Sequence, residues 1–268
     1  MSTFAEEVRT GKRFEFGKNW SNFLTVLDDE RITIAKNSLL EMLQLESLEG
    51  RTFLDIGSGS GLFSLAARSL GATVFSLDFD PDSVACTHEL KRRYFPGDPE
   101  WTITEGSVLN EAFITSLGTF DITYSWGVLH HTGQMWKAAD IVTSPVKPDG
   151  LLFIFLYLDH GWKSNMWLQI KKMYCSNTAG KFAVLSVCLP YFVLRGLAED
   201  LARFKNPATQ YRNYKKNRGM AIYHDWIDWL GGYPFEVAKP QEVVAFYKER
   251  GFSLCKVEGG QYVFQRSE

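Results

Sequence analysis

The sequence predicts an α/β fold: a mostly parallel sheet of seven strands, closed by an antiparallel C-terminal hairpin and interrupted by a helical cap insertion. Three observations carry this. Strand-like apolar runs alternate with helix-like segments through the first 158 residues, as a parallel sheet covered by helices requires. The run LLFIFLYL at 151–158 is almost wholly apolar, as in a central strand buried on both faces. Near the end of the chain, two short β-prone runs flank Gly259-Gly260 and read as a hairpin.

The elements follow in order. Residues 32–45 read as a helix, with Ile34, Leu39, Leu40, Met42 and Leu43 as its apolar positions. Residues 52–56 form the first strand, and 62–70 the next helix, ended by Gly71. The second strand is 73–78. Its helix, 81–94, starts at Pro81 with Asp80 placed to cap it. Residues 101–105 and 120–126 are the third and fourth strands, and 134–141 a helix. The Lys147-Pro148-Asp149-Gly150 turn precedes the fifth strand, 151–158. Regularity then breaks until helix 240–250 and strands 252–257 and 261–265. The expected division is an N-terminal lid segment (1–30), a core (31–158), a substrate-binding cap (159–236) and the completion of the core sheet (237–268).

The chain has 268 residues, 45% of them hydrophobic, which is enough for one large α/β domain with an elaboration. Its net charge is −2, unevenly spread. Residues 158–230 hold eleven Lys/Arg and five Asp/Glu, a surplus of +6 that leaves −8 elsewhere. The surplus peaks at 203–218. It reads either as a solvated helix face or as a surface for an anionic group on a substrate. The slightly acidic whole argues against a long nucleic-acid partner. Cys86, Cys175, Cys188 and Cys255 have neither paired nor metal-ligand spacing, so a reducing, cytoplasmic setting and no metal are expected. Glu6, Glu7 and Arg9 interrupt any signal-peptide core. The longest apolar run, 182–194, is short for a bilayer span and contains Pro190, so it is expected to be a buried lid helix rather than a transmembrane segment. Contact with a lipid surface stays open. A monomer and a homodimer are both compatible with the sequence.

The most informative stretch is FLDIGSGSGLF at 53–63: a buried strand, a tight turn with glycine at 57, 59 and 61, and a helix start. Glycine lets the backbone turn sharply and approach a ligand, and the free amides of a helix start favour polar or negative groups. The spacing differs from the Gly-x-Gly-x-x-Gly of dinucleotide binders, which argues against an NAD-dependent dehydrogenase. With Asp55 two positions before the first glycine, the segment resembles motif I of class I S-adenosylmethionine (SAM) methyltransferases, whose sheet is Rossmann-like. The resemblance implies that Asp55, Gly57, Ser58, Gly59 and Gly61 cradle the methionine and ribose parts of SAM. A strand–turn–helix that binds nothing is the bland alternative.

Further segments extend the resemblance. Asp78 ends the second strand, where a carboxylate can accept hydrogen bonds from both ribose hydroxyls; Phe79 would pack on the adenine. Ser107 and Val108 follow the third strand where the family contacts the adenine edge, although Ser107 stands where an Asp is common. The segment 120–131, FDITYSWGVLHH, resembles motif IV of the ubiquinone-biosynthesis-type (type 11/12-like) bacterial methyltransferases. It implies Trp126 and Gly127 beside the methionine end of SAM. His130 and His131 become candidates for a general base or a substrate contact. Trp20, in the aromatic segment 14–20, would cover the sulfonium, since aromatic faces attract cations; a packed N-terminal arm is the alternative.

The end of the insertion, HDWIDWLGGYPFE at 224–236, is similar to segments of bacterial methyltransferases of unassigned substrate. Tyr223 and His224 are added as catalytic candidates, and Arg218, Asp225 and Trp226 as substrate contacts. The implied function is methyl transfer from SAM to a small acceptor, with O-methylation of a quinol, sugar or other hydroxylated, possibly anionic, metabolite favoured because neutral histidine can take a hydroxyl proton. RNA (tRNA) methylation and a non-catalytic SAM-binding module are the alternatives.

Overall fold

The computed structural model describes residues 3–203, 206 and 222–267, with the side chains of 222–225 and 228 left out. One sheet organises the chain. Strands β1 (Thr52–Ile56), β2 (Thr73–Asp78), β3 (Trp101–Glu105), β4 (Phe120–Trp126) and β5 (Val146–Phe155) run parallel, and β6 (Phe252–Glu258) and β7 (Gln261–Arg266) close it as a hairpin. The order is β3-β2-β1-β4-β5-β7-β6, with β7 antiparallel to β5. This is the expected mostly parallel, seven-stranded sheet with its C-terminal hairpin. The Lys147–Gly150 turn is absorbed into β5 as an irregularity: Phe120 pairs with Val146, but Ile122 pairs with Leu151.

Alternation along the strands fills both faces. Leu54, Ile56, Leu152 and Ile154 point to one side, against α7 (Met135–Ile141) and α11 (Pro240–Lys248). Phe53, Val74, Ile122 and Phe153 point to the other, against α3 (Asp29–Leu43), α4 (Leu62–Ser69) and α5 (Pro81–Tyr94). The α5 start has its expected cap: the Asp80 carboxylate accepts from the Asp82 amide at 2.9 Å, with Pro81 in the first turn.

Three short helices had no sequence signal. They are α1 (Phe4–Arg9), α2 (Gly17–Phe23) and α6 (Glu111–Ser116). The segment 14–20 lacks helical period, yet α2 forms because tertiary contacts fix it. The Gly17 amide donates to Asp80 Oδ2 at 2.7 Å, and Trp20 and Phe23 pack on the core.

The insertion supplies α8 (Trp162–Ser176), α9 (Thr178–Ala202) and α10 (Ile222–Gly231). Their shared core is small: Tyr174, Val184, Cys188 and Leu230. Here the expectation of a buried helix fails. The run 182–194 lies within the 25-residue α9, most of whose apolar side chains are exposed. Among the described residues α9 is also the one helix long and apolar enough to cross a membrane, so the run is less short than its own limits suggest.

Candidate functional site

Because β1 to β5 are parallel, their C-terminal ends share one edge, where open α/β sheets bind ligands. At the end of β1 the turn is tight. Gly57, Gly59 and Gly61 have φ of 82°, 54° and 81°, a region side chains rarely adopt. A Cβ on Gly57 would lie 2.3 Å from Val128 Cγ2, and one on Gly59 3.1 Å from the Trp20 indole nitrogen. The expectation of free amides here is not met. Gly57 and Ser58 donate to the Leu77 carbonyl, Gly61 to the Ser58 carbonyl and Gly59 to Asp78. The turn therefore offers close backbone approach rather than open donors. The Ser58 hydroxyl faces Thr87 Oγ1 at 3.0 Å, inside the protein.

Asp55 is buried beneath this turn. Its Oδ2 accepts from Ser64 Oγ at 2.5 Å, and Ser64 meets Ser76 Oγ, which accepts from the Trp101 indole at 2.9 Å. Burial pushes its pKa up to about 7. Its oxygens serve the start of α4 and do not open on the strand edge.

Asp78 is better placed. Its Oδ2 accepts from the Gly59 amide and its Oδ1 from the Asp80 amide, both at 2.9 Å. A carboxylate has about four acceptor sites, so capacity is left for hydroxyl donors. Desolvation raises its pKa to about 6, opposed by those two amides and by Arg13. Arg13, which carried no sequence signal, is the junction of this region. Its guanidinium lies 5.1 Å from the Phe79 ring, donates to the His131 carbonyl at 3.1 Å and pairs with Glu7 at 2.6 Å. Phe79 also meets Phe4 edge-on at 5.7 Å. The N-terminal segment thus covers the turn (Trp20), the β2 end (Phe4, Arg13) and the β4 loop, where Phe16 lies 5.1 Å from His131.

After β3, the Ser107 hydroxyl accepts from the Leu109 amide at 3.2 Å and Val108 is buried in the core. At the end of β4, Trp126 is 41% exposed and stacks on Phe155 with centroids 4.6 Å apart. Its indole donates to Gln261 at 3.2 Å. Gly127, with φ 78°, has open space where a Cβ would stand.

His130 and His131 form a 3₁₀ turn and are both buried, which the loop sequence did not signal. His131 Nδ1 lies 2.6 Å from the Pro234 carbonyl, so the proton belongs on Nδ1 and the lone pair on Nε2. Burial drives its pKa down to about 3 and that of His130 well below the ordinary value. Both rings are neutral at physiological pH. The His130 ring packs against Tyr157, tilted by 34° with centroids 3.9 Å apart. The turn is clamped by the end of the insertion: the Glu236 amide donates to the His130 carbonyl at 3.0 Å, and the Glu236 carboxylate accepts from the Met135 amide. The GGYPFE segment thus docks the insertion onto the β4 loop.

On the other side of Tyr157 is a cavity of about 170 Å³, lined by Tyr157, Leu158, His160, Lys163, Ser164, Trp167, Trp229 and Phe235. Behind it the buried Lys171 ammonium lies 4.4 Å from the Trp229 ring and 5.0 Å from Phe235, and donates to the Trp229 carbonyl. The structure therefore brings together Gly57, Gly59, Gly61, Asp78, Phe79 and Trp20 on one side, and Trp126, Gly127, His130 and His131 on the next strand end. Trp226 is half-buried and faces Phe192, with centroids 5.5 Å apart. Arg218, the basic stretch beyond Arg203 and the side chains of Tyr223, His224 and Asp225 lie outside the described residues.

Residues 54–152 match a family model described as a methyltransferase domain. The chain is 32% identical over 131 residues to a ribosomal protein L11 methyltransferase of Aliivibrio fischeri, covering 45% of this chain and 38% of that protein. It is 30% identical over 137 residues to a ubiquinone biosynthesis O-methyltransferase of Paraburkholderia xenovorans, covering 50% and 56%. The chain thus spans about half, or less, of the curated relatives it matches. Its fold superposes on a magnesium protoporphyrin IX methyltransferase from Synechocystis solved with bound S-adenosylhomocysteine (TM-score 0.55, 12% identity, 93% and 95% of the two chains). It superposes equally on an O-methyltransferase family protein from Burkholderia thailandensis (TM-score 0.55, 13% identity, 99% and 67%).

Proposed function

We propose that this chain, a class I methyltransferase by its sheet and its methyltransferase domain, binds SAM across the ends of β1, β2 and β4 and methylates a small-molecule acceptor held at the end of β5. The observation that carries this is the 2.9 Å bond from the Gly59 amide to Asp78. It locks a carboxylate able to take two ribose hydroxyls against a glycine turn that lets a ligand approach the backbone. The residues present suit the cofactor: Asp78 for the ribose, Gly57 to Gly61 for close passage of the chain, Trp126 and Gly127 beside the open space at the β4 end, and Trp20 as an aromatic cover. Phe79 already carries Arg13, so its part is to hold that guanidinium as well as to edge the adenine. Asp55 and Ser58 act from beneath, by shaping the turn.

SAM, when bound, supplies an activated methyl group. The residues of this chain then have to align an acceptor, exclude water and manage one proton. The neutral His131, whose bond to Pro234 leaves its lone pair on Nε2, is our candidate to take that proton. Its low pKa makes it a weak acceptor, which favours an acidic hydroxyl, such as that of a phenol or enol, over an ordinary alcohol. O-methylation of such a hydroxyl is our reading, with His130 holding Tyr157 as the wall between the histidine turn and the cavity.

The test is calorimetry with S-adenosylhomocysteine, followed by transfer of labelled methyl to a metabolite extract. Micromolar binding that Asp78→Ala weakens about 100-fold or more, from the loss of two hydrogen bonds to a charged group at ~1.5–3 kcal/mol each, supports the site. No binding overturns it. Binding without transfer to any extract component would favour a non-catalytic SAM module.

A further inference from the structure

Among the described residues, nothing covers an apolar surface on the α8–α9 hairpin. On α9, Phe182 is 73% exposed, Val187 70% and Leu194 64%, with Tyr191 and Leu201 also open. Val187, Leu194 and Leu201 fall on one face of the helix together with positions 183 and 190, and Phe182 flanks that face near the start of the helix. The opposite face is spoken for: Val184 and Cys188 pack on Tyr174 and Leu230. Contacts through Val184, Cys188 and Phe192, with Asp200 also buried, hold the helix side-on against the protein, the posture of a helix lying on an interface rather than crossing one. The outer face of α8 continues the surface through Trp162, 70% exposed, Met166 and Met173.

The charge around this face is predominantly positive: α9 carries Glu199, which is paired with Arg195, and Asp200, which is buried. Residues 160–198 contain five Lys/Arg and no Asp or Glu. Lys163, Lys172 and Lys181 are exposed beside the apolar positions, Lys171 is buried, and Arg195 pairs with Glu199 at 2.8 Å. A second copy docked face to face would set these lysines against one another, with no carboxylate in 160–198 to answer them. An anionic lipid surface answers both features: its acyl boundary takes Phe182, Val187 and Leu194, and its headgroups take the lysines. Trp162 and Tyr191 are the residue types that favour that boundary.

We propose that the exposed face of α8 and α9 docks on an anionic phospholipid bilayer. This also bears on the acceptor, a step that rests on the function proposed above. Lys163, Ser164 and Trp167 of α8 line the cavity, directly beside Trp162 on the docking face. At about 170 Å³ the cavity is smaller than the roughly 300–1,000 Å³ that encloses a drug-sized ligand. It takes a ring or headgroup, and leaves the remainder of a longer molecule outside. The acceptor class that fits is an amphiphile whose polar ring enters the cavity while its apolar tail stays in the bilayer.

The test is sedimentation of the chain with vesicles of phosphatidylcholine alone or with added phosphatidylglycerol. Binding is expected to be at least tenfold stronger with the anionic lipid, and weakened by salt. Phe182→Ser/Val187→Ser/Leu194→Ser should lose at least tenfold of that binding. Lys172→Glu/Lys181→Glu should lose the preference for anionic lipid. Circular dichroism melting and S-adenosylhomocysteine calorimetry on the same samples should be unchanged in both variants. No sedimentation with either vesicle overturns the proposal. So does a stable dimer, seen by light scattering without lipid and dissolved by the serine substitutions, since that makes the face a contact between copies. Vesicle binding without S-adenosylhomocysteine binding leaves the docking face standing and sinks the methyltransferase reading; the reverse result does the opposite.

Discussion

The parallel sheet and the helical cap are stabilised in different ways. In the sheet, both faces are filled: Leu54, Leu152 and Ile154 on one side, Phe53, Ile122 and Phe153 on the other, all buried. In the cap, a 25-residue helix buries three side chains, Val184, Cys188 and Asp200, and exposes several of its largest apolar ones. The sheet is complete within the chain and presents a shaped edge. Among the described residues, nothing covers the outer face of the cap. The difference fits the two roles proposed above: a fixed sheet edge for a cofactor, and a surface with a small cavity for an acceptor.

Truncation in each region should break the symmetry most clearly. Leu152→Ala is expected to cost about 2–5 kcal/mol, because a fully buried side chain leaves a cavity. Leu194→Ala should change stability by less than about 0.5 kcal/mol, as for an exposed site. Denaturant unfolding monitored by circular dichroism measures both. Comparable losses would mean that the cap is packed as tightly as the sheet.

A second contrast lies at the glycine turn. Gly57→Ala combines a positive φ with a Cβ 2.3 Å from Val128, and should cost about 1–3 kcal/mol together with cofactor affinity. Val128→Ala in the same chain should recover part of the loss, since the struck atoms are its methyl groups. Absence of any recovery would leave the φ strain alone as the cause.

Four strands, 52–56, 73–78, 101–105 and 120–126, coincide with their sequence-derived limits. Each is a short apolar run ended by Gly, Asp or a polar turn, so local chemistry defines its ends. Asp78 and the glycines were legible for the same reason, since a strand end fixes where they must lie. Arg13 and Tyr157 were not. Apart from Glu7, the partners of Arg13 are over sixty residues away, and those of Tyr157 lie on the β4 loop and in the cap; no local pattern marks such contacts. The burial of His130 and His131 was hidden because polar residues in a loop read as exposed; the clamp through Pro234 and Glu236 that buries them is tertiary. The exposure of α9 was missed because an apolar run reads as core whatever finally covers it.

Protonation sharpens the account of the sheet edge. Burial raises the folded pKa of Asp55 from its ordinary 3.8 to about 7. The folded state therefore holds its proton more tightly than the unfolded chain. Its contribution is full below about pH 4, and is lost as pH rises from there to about 7. Asp55→Asn should flatten this decline, so the melting temperature of the variant relative to the parent should rise between pH 5 and pH 8. An unchanged difference across that range would mean that the carboxylate is already paired or solvated.

On cofactor affinity, the smallest effect expected is from His131. Because it is neutral throughout the physiological range, His131→Asn should leave S-adenosylhomocysteine affinity within twofold and lower the maximal rate with an acidic hydroxyl acceptor by roughly 10²-fold or more. An unchanged rate would assign the ring to holding Pro234 alone.

The central claim is that Asp78, held by the Gly59 amide, reads the ribose of the cofactor. The most direct measurement is S-adenosylhomocysteine affinity by calorimetry as a function of pH. With the Asp78 pKa raised to about 6 in the free chain, the carboxylate must lose a proton before it can accept both hydroxyls. Affinity should be flat above pH 7, fall about tenfold between pH 7.5 and pH 5, and lose that dependence in Asp78→Asn. A pH-independent affinity, or one that Asp78→Asn leaves intact, would contradict the account.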